Sequence, residues 1–182
     1  MTHARRRPGA AIALLSFLLA LAPPLRAGAG GDPLKAAGGD RAVVLLFIAR
    51  DCPISNTYAP EVQRIVRRYA ARRVAFRLVY ADPGLSRADA AKHAREYGYT
   101  CPILMDPAHR WARRVGATVT PEAAVLAPDG RLLYRGRIDD KYVSWGKARF
   151  RTGKHDLRDA LDAVLAGRPV PAPRTTAIGC FI

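Results

Sequence analysis

Hydrophobic and polar positions along this chain follow two rhythms that change over at intervals. Val43–Ala49 is an unbroken apolar run of seven residues, which fits a strand buried on both faces. From Pro53 to Arg73 the rhythm shifts: Val62, Ile65, Val66, Tyr69 and Ala70 recur at steps of three and four, the one-sided pattern of a helix packed on a core. Pro60 removes a backbone donor there and predicts a bend near the first turns. Val74–Ala81 reads as a second strand, closed by Asp82-Pro83-Gly84. Ser86 is the N-cap of a helix running to Tyr97 and ended by Gly98. Cys101–Met105 is a short strand, and Asp106 caps a helix over Pro107–Val115 that Gly116 stops. Glu122–Ala127 and Arg131–Arg137 are two strands joined by Pro128-Asp129-Gly130, a hairpin signal. The last helix covers Asp156–Ala166, and Gly167 follows it.

The order is β-α-β-α-β-α-β-β-α. Its early alternation predicts parallel strands and its late hairpin adds antiparallel ones, so the fold class is α/β with a mixed sheet. A dinucleotide-binding fold would need a glycine-rich turn after the first strand, where this chain reads Arg50-Asp51-Cys52-Pro53. The ends differ from the middle. Residues 1–29 combine a basic start (Arg5, Arg6, Arg7), the apolar stretch Ala10–Ala22 and small residues at Ala27-Gly28-Ala29, the layout of a secretory signal peptide. Thirteen helical residues reach only about 20 Å, short of a bilayer core, so no membrane span is expected after cleavage and the protein is expected to be periplasmic or secreted. Residues 30–40 read as a linker, 41–167 as the folded domain, and 168–182, with Pro169, Pro171 and Pro173, as an extended tail.

Charge modifies this picture little. The net charge is +15, from 30 Lys and Arg against 15 Asp and Glu. The arginines are scattered over several helix faces (Arg64, Arg67, Arg68, Arg72, Arg73) without interleaved aromatics, which speaks for a solvated basic surface and against a nucleic-acid partner.

The chemistry resides in cysteine. There are three, Cys52, Cys101 and Cys180, and export would place them where disulfides persist. None has metal-ligand spacing, the histidines are scattered, and neither a metal nor another cofactor is expected. Cys52 falls where the first strand ends and a helix begins, facing the positive end of the helix dipole. The helix start and Arg50 favour a thiolate there, while Asp51 opposes it. About 70 residues on, Val119-Thr120-Pro121-Glu122 precedes another apolar run, a loop placed to lie against such a cysteine. Asp51-Cys-Pro-Ile-Ser-Asn56, Thr118-Val-Thr-Pro-Glu122, Tyr134-Arg-Gly-Arg-Ile-Asp-Asp140 and the terminal Gly179-Cys-Phe-Ile182 together resemble the redoxin group. That group takes in peroxiredoxins of the alkyl hydroperoxide reductase/thiol-specific antioxidant family and exported thioredoxin-like proteins, and the likeness is strongest to a peroxiredoxin-like exported bacterial subgroup.

The resemblance implies a thioredoxin-like fold with a central mixed sheet of about five strands flanked by helices. It implies that Cys52 is the active thiol, that Pro121 follows a cis peptide bond, and that the Thr120 backbone holds a substrate chain by strand-like hydrogen bonds. Two departures matter. The second cysteine of a dithiol motif is replaced by Ser55, whose hydroxyl cannot resolve a mixed disulfide. Ala49 and Leu45 stand where peroxiredoxins carry a threonine and a proline. The activity expected is therefore thiol–disulfide exchange through a single cysteine. A peroxiredoxin-like thiol peroxidase is the alternative, and a non-enzymatic adaptor in an envelope complex the second alternative. Partners would be protein or small-molecule thiols and disulfides, or a hydroperoxide. A copper chaperone of this fold would need a cysteine where Asn56 stands.

The remaining thiols separate by topology. Cys101 begins a strand whereas Cys52 follows one, so parallel strands would hold them about 15 Å apart, beyond the ~7 Å Cα limit of a disulfide, and Cys101 reads as a small apolar filler. A tail of fifteen residues from Arg168 could span up to about 50 Å, so contact with Cys52 is allowed but not required; Cys180 is a candidate resolving thiol for Cys52, and a free or intermolecular Cys180 is the other reading. Arg135 and Arg137 are candidates to steady an anion or thiolate at the site, or else are solvated. Asp139 and Asp140 read as a surface turn.

Overall fold

The computed structural model describes residues 32–182, so the signal peptide expected over residues 1–29 lies outside the described residues. The elements are β1 (Ala42–Ile48), α1 (Pro53–Thr57), α2 (Ala59–Ala70), β2 (Val74–Tyr80), α3 (Arg87–Glu96), β3 (Ile103–Met105), α4 (Arg110–Val115), β4 (Val119–Thr120), β5 (Glu122–Leu126), β6 (Leu132–Gly136), β7 (Tyr142–Ser144), β8 (Lys147–Ala148), α5 (Asp156–Leu165) and β9 (Cys180–Phe181). A five-stranded sheet has the order β3-β2-β1-β5-β6. β1, β2 and β3 are parallel, and β5 and β6 run antiparallel to their neighbours. This is the mixed α/β architecture that the pattern of the sequence predicts.

β1 lies at the centre and all seven of its residues are buried. Alternate side chains leave a strand on opposite faces, and here each face has its own core. Val44, Leu46 and Ile48 pack with Val62 and Ile65 of α2, Ala90 and Ala94 of α3, and Leu157 and Leu161 of α5. Val43, Leu45 and Phe47 pack with Ala112 and Val115 of α4 on the other side. Fully burying side chains of this size stabilises by about 1.5–3 kcal/mol each. That is why the strand can hold the site at its carboxyl end rigidly. Among the described residues, no helix is long and apolar enough to cross a membrane.

Four local expectations are revised. The helix expected over Pro53–Arg73 is two helices meeting at Tyr58, with Pro60 in the first turn of α2. The break falls where Pro60 removes a backbone donor, and at the junction the Tyr58 hydroxyl donates to buried Asp139 at 2.5 Å. Asp139 and Asp140 are accordingly buried and do not form a surface turn. Asp140 accepts from the Gly153 and Lys154 amides at 2.8 and 3.0 Å and so closes the base of the β7–β8 excursion. The described part of the expected linker is packed in place, because Leu34 is fully buried in the α4 core and the Ala36 amide donates to the Pro128 carbonyl at 3.1 Å. Asp106 does cap α4, but that helix begins only at Arg110. Its carboxylate accepts from the Trp111 and Ala112 amides, both at 2.9 Å.

Candidate functional site

Cys52 is the N-cap residue of α1. Its extended backbone turns the chain out of β1, and its sulfur accepts from the Ser55 amide at 3.4 Å. Sulfur thus takes the part that Ser or Asp usually plays at a helix start, and the amide is a donor ready to stabilise charge when it forms. Opposite it, the thiol donates to the Thr120 carbonyl at 3.1 Å. The residue is only 1% exposed, although a helix start more often faces solvent.

The turn carrying Cys52 is pinned from beneath. Ser55, which is completely buried, accepts from the Ala49 amide at 3.2 Å, so its hydroxyl holds the loop. Asn56 donates to the Arg50 carbonyl at 2.8 Å and meets His93 Nε2 at 3.0 Å; His93 Nδ1 lies 2.7 Å from the Tyr80 hydroxyl. With the Asn56 amide group donating to Arg50, its oxygen accepts from Nε2–H, and Nδ1 accepts from the tyrosine. His93 is 2% exposed and its burial lowers its pKa, which keeps it neutral in this role. Nothing in the sequence spacing marks His93; only the packing of α3 against the end of β2 brings it under the loop.

The second wall is the loop of β4. The Thr120–Pro121 peptide bond is cis. Directly after it, Glu122 is 2% exposed, and its Oε2 accepts from the Thr118 amide at 2.8 Å and the Val119 amide at 3.4 Å. Arg135 bonds the other carboxylate oxygen at 3.2 Å and also donates to the Gly116 carbonyl. Arg135 thus braces the loop through Glu122, a residue that the apolar pattern shows only as the start of a strand. Arg137 forms a bidentate pair with Asp156 at 2.8 and 3.3 Å in the first turn of α5. Arg50 pairs with its neighbour Asp51 at 3.0 Å on the surface. The support expected for the thiolate from Arg50, Arg135 and Arg137 is therefore directed to carboxylates.

The third wall is the tail. Residues 173–175 run beside β6, where the Arg135 amide donates to the Pro173 carbonyl at 3.0 Å and the Thr175 amide to the Arg135 carbonyl at 3.1 Å. The chain then crosses the end of the sheet, and β9 pairs antiparallel with β4 in the register Val119↔Phe181 and Thr120↔Cys180. The Ile182 amide adds a bond to the Thr118 carbonyl at 3.0 Å. Cys180 lines the same cavity as Cys52. Burial, with the neighbouring Cys52 adding to it, pushes the Cys180 thiol up to about 12, so it is neutral near pH 7. All three cysteines are free thiols. A cavity of about 310 Å³ opens beside the pair, lined by Ala49, Cys52, Pro83, His109, Thr120 and Cys180 among others. Thr120 Oγ1 and His109 Nε2 on its wall are buried without a partner.

Cys101 is elsewhere. It lies two residues before β3, whose Met105 aligns with Tyr80 and, through it, with Ile48. It therefore sits at the opposite end of the parallel strands from Cys52, half-buried against the first core, and burial pushes its thiol up to about 12. One further cluster was invisible in the sequence: Glu61, Asp139 and His155 hold their donor atoms within 4.8 Å of one another. Arg64, Lys141, Arg149 and Arg158 line the same cavity, and Arg64 and Arg158 both pair with Glu61. That charge balance disfavours a cation.

Comparison with known proteins bears on this geometry. The family model described as AhpC/TSA family matches residues 31–135. Among solved structures, an uncharacterized conserved protein from Geobacillus kaustophilus is 33% identical, with 79% of this chain and 77% of that one covered and a TM-score of 0.69. A candidate thiol:disulfide interchange protein DsbE from Chlorobium tepidum is 21% identical over 69% of this chain and 80% of its own, with a TM-score of 0.53. A candidate thioredoxin from Neisseria meningitidis is 16% identical over 74% of this chain and 78% of its own, with a TM-score of 0.54. The last two show likeness of fold. No curated protein sequence matches the chain.

Proposed function

The chain belongs to the AhpC/TSA family within the thioredoxin-like redoxins, and from that premise we propose that it is an exported thiol–disulfide oxidoreductase in which Cys52 is the nucleophile and Cys180 the resolving thiol. The observation that carries this reading is the seat of Cys52: its sulfur at a helix N-cap, the Thr120 carbonyl 3.1 Å away and Cys180 in register with Thr120 on the paired strand. Export rests on the basic and apolar leader in residues 1–29.

The reaction follows from thiol chemistry. Cys52 gives up its proton to solvent, and the thiolate attacks one sulfur of a substrate disulfide. The substrate S–S bond breaks, the departing thiolate takes up a proton, and a mixed disulfide on Cys52 remains. Cys180 then loses its proton and attacks the Cys52 sulfur. The second substrate thiol leaves, and the two protein sulfurs are joined, so one substrate disulfide is reduced and one protein dithiol oxidised. Two equivalents of an external thiol restore the dithiol: the first opens the protein disulfide to a mixed disulfide, and the second displaces the protein sulfur and leaves as the donor's own disulfide. Ser55 takes no part, because its hydroxyl is bonded to the Ala49 amide and bears no sulfur.

The test is reduction of a peptide disulfide by the full chain in the presence of glutathione, followed by mapping of cysteine peptides. A Cys52–Cys180 bridge that accumulates when the thiol donor is withheld supports the reading. In Cys180→Ser the mixed disulfide should persist on Cys52. Oxidised protein with no such bridge sinks the resolving role. Consumption of hydroperoxide in preference to the peptide disulfide would make the protein a peroxidase.

A further inference from the structure

The residues that cover Cys52 show what the site accepts. Residues 178–182, Ile-Gly-Cys-Phe-Ile, lie on β4 as a short added strand, and each position meets a different environment. Ile178 packs on the first core and Ile182 on the second. Cys180, in register with Thr120, lines the same cavity as Cys52, and Phe181 is 90% exposed. Gly179 is the tightest point. A Cβ there would fall on the Thr120 carbonyl, 2.6 Å from its carbon, and 3.1 Å from the Pro121 nitrogen. All of these are backbone atoms of the loop that Glu122 braces, so they cannot swing aside as a flexible side chain would. The tail is seated equally closely upstream, where a Cβ on Gly136 would lie 2.5 Å from the Thr175 carbonyl oxygen and 2.9 Å from its nitrogen.

We infer that the site recognises a polypeptide cysteine presented in an extended segment of the form apolar–Gly–Cys–any–apolar, and that residues 178–182 are a resident copy of that segment which a substrate must displace. The inference rests on the exchange reading above and adds its substrate class and its regulation. Strand addition supplies affinity through main-chain bonds and specificity through alternate side chains. Here the alternate positions are Ile178, Cys180 and Ile182, and the exclusion is set at Gly179. A tethered segment competes at a high effective concentration. The closed form is therefore the ground state, and Cys52, at 1% exposure, is protected from unselective oxidation.

The experiment uses two labelled hexapeptides, Ala-Ile-Gly-Ser-Phe-Ile and Ala-Ile-Ala-Ser-Phe-Ile, in which serine replaces cysteine so that recognition is read without chemistry. Fluorescence anisotropy compares the full chain with a variant ending at Thr176. The glycine peptide is expected to bind the shortened chain at least about tenfold more tightly than the alanine peptide, and at least about tenfold more tightly than the full chain binds it. Equal affinity for the two peptides, equal binding by the two proteins, or no binding to a folded shortened chain overturns the inference. Should the shortened chain fail to fold, Cys180→Ser and the double variant Gly179→Ala/Cys180→Ser are compared for alkylation of Cys52. A rise of at least about tenfold in the double variant is expected, and an unchanged rate overturns the inference. Selective peptide binding without any disulfide reduction would refute the exchange reading alone. Reduction of Gly–Cys and Ala–Cys disulfides at equal rates would refute this inference alone.

Discussion

The two ends of the parallel strands each carry a thiol, Cys52 buried and Cys101 half-buried, and their surroundings could hardly differ more. At the carboxyl end Cys52 has an amide donor from Ser55, a carbonyl of the braced loop and a second thiol beside it. At the amino end Cys101 has hydrocarbon, and its thiol is pushed up to about 12 by burial. Cysteine alone does not make a reactive centre. The difference lies in which end of the strands it occupies, because helix starts and connecting loops gather at the carboxyl ends and leave the amino ends to packing.

That contrast can be broken at several points. The largest expected effect is on turnover: Cys52→Ser should lower peptide-disulfide reduction at least about a hundredfold, since only sulfur can attack a disulfide, while Cys101→Ser should change it by less than about twofold. Equal losses in a side-by-side turnover assay would erase the distinction. Next comes alkylation. With a pKa near 12, Cys101 at pH 8 should hold a thiolate population about a thousandfold below that of an ordinary cysteine. Mass spectrometry after brief iodoacetamide treatment of the folded protein should find Cys101 unmodified, and prompt labelling there would contradict the burial argument.

The brace of the loop gives a smaller effect. Glu122→Ala takes the acceptor from the Thr118 and Val119 amides and leaves Arg135 only the Gly116 carbonyl, and removing one member of a buried pair typically costs about 3–5 kcal/mol. Because Arg135 is partly exposed, about 3 kcal/mol is expected from the urea midpoint, with slower exchange in what remains folded. The smallest effect is a pH dependence. Burial lowers the pKa of His93 in the folded state, so the unfolded chain binds more protons below about pH 6.5. Stability is then complete above that value and falls as the pH drops, by up to about 1.4 kcal/mol per pH unit for this one group. His93→Gln keeps the polar contacts but not the titration, and its urea midpoint should vary less between pH 6.5 and 5 than that of the parent.

Much of the frame was legible from the sequence because it obeys local periods. The uniform apolar run of β1, the three-and-four spacing of α2, the Ser86 cap and the turn at Pro128-Asp129-Gly130 each announce an element within a few residues. The cis bond before Pro121 was foreseen only as an implication of a family likeness, and the tail's reach allowed an approach of Cys180 to Cys52 without requiring it. What escaped has no local signature. The β4–β9 pairing joins residues about sixty positions apart through two-residue strands. Glu122 looks like any strand start until its amide partners are seen, and the Asn56–His93–Tyr80 chain is assembled from three separate elements. Asp139 and Asp140 read as surface residues because their partners, Tyr58 and the Gly153–Lys154 amides, lie far off in the chain.

The late position of residues 179–182 has a consequence for biosynthesis. When a growing chain has passed Glu122, both strands flanking the nucleophile exist, yet the plug that will shield it is still some sixty residues from being made. Through that interval the sulfur of a nascent molecule lacks the cover that β9 gives it. Maturation of this protein is therefore a race between emergence of its last strand and premature capture.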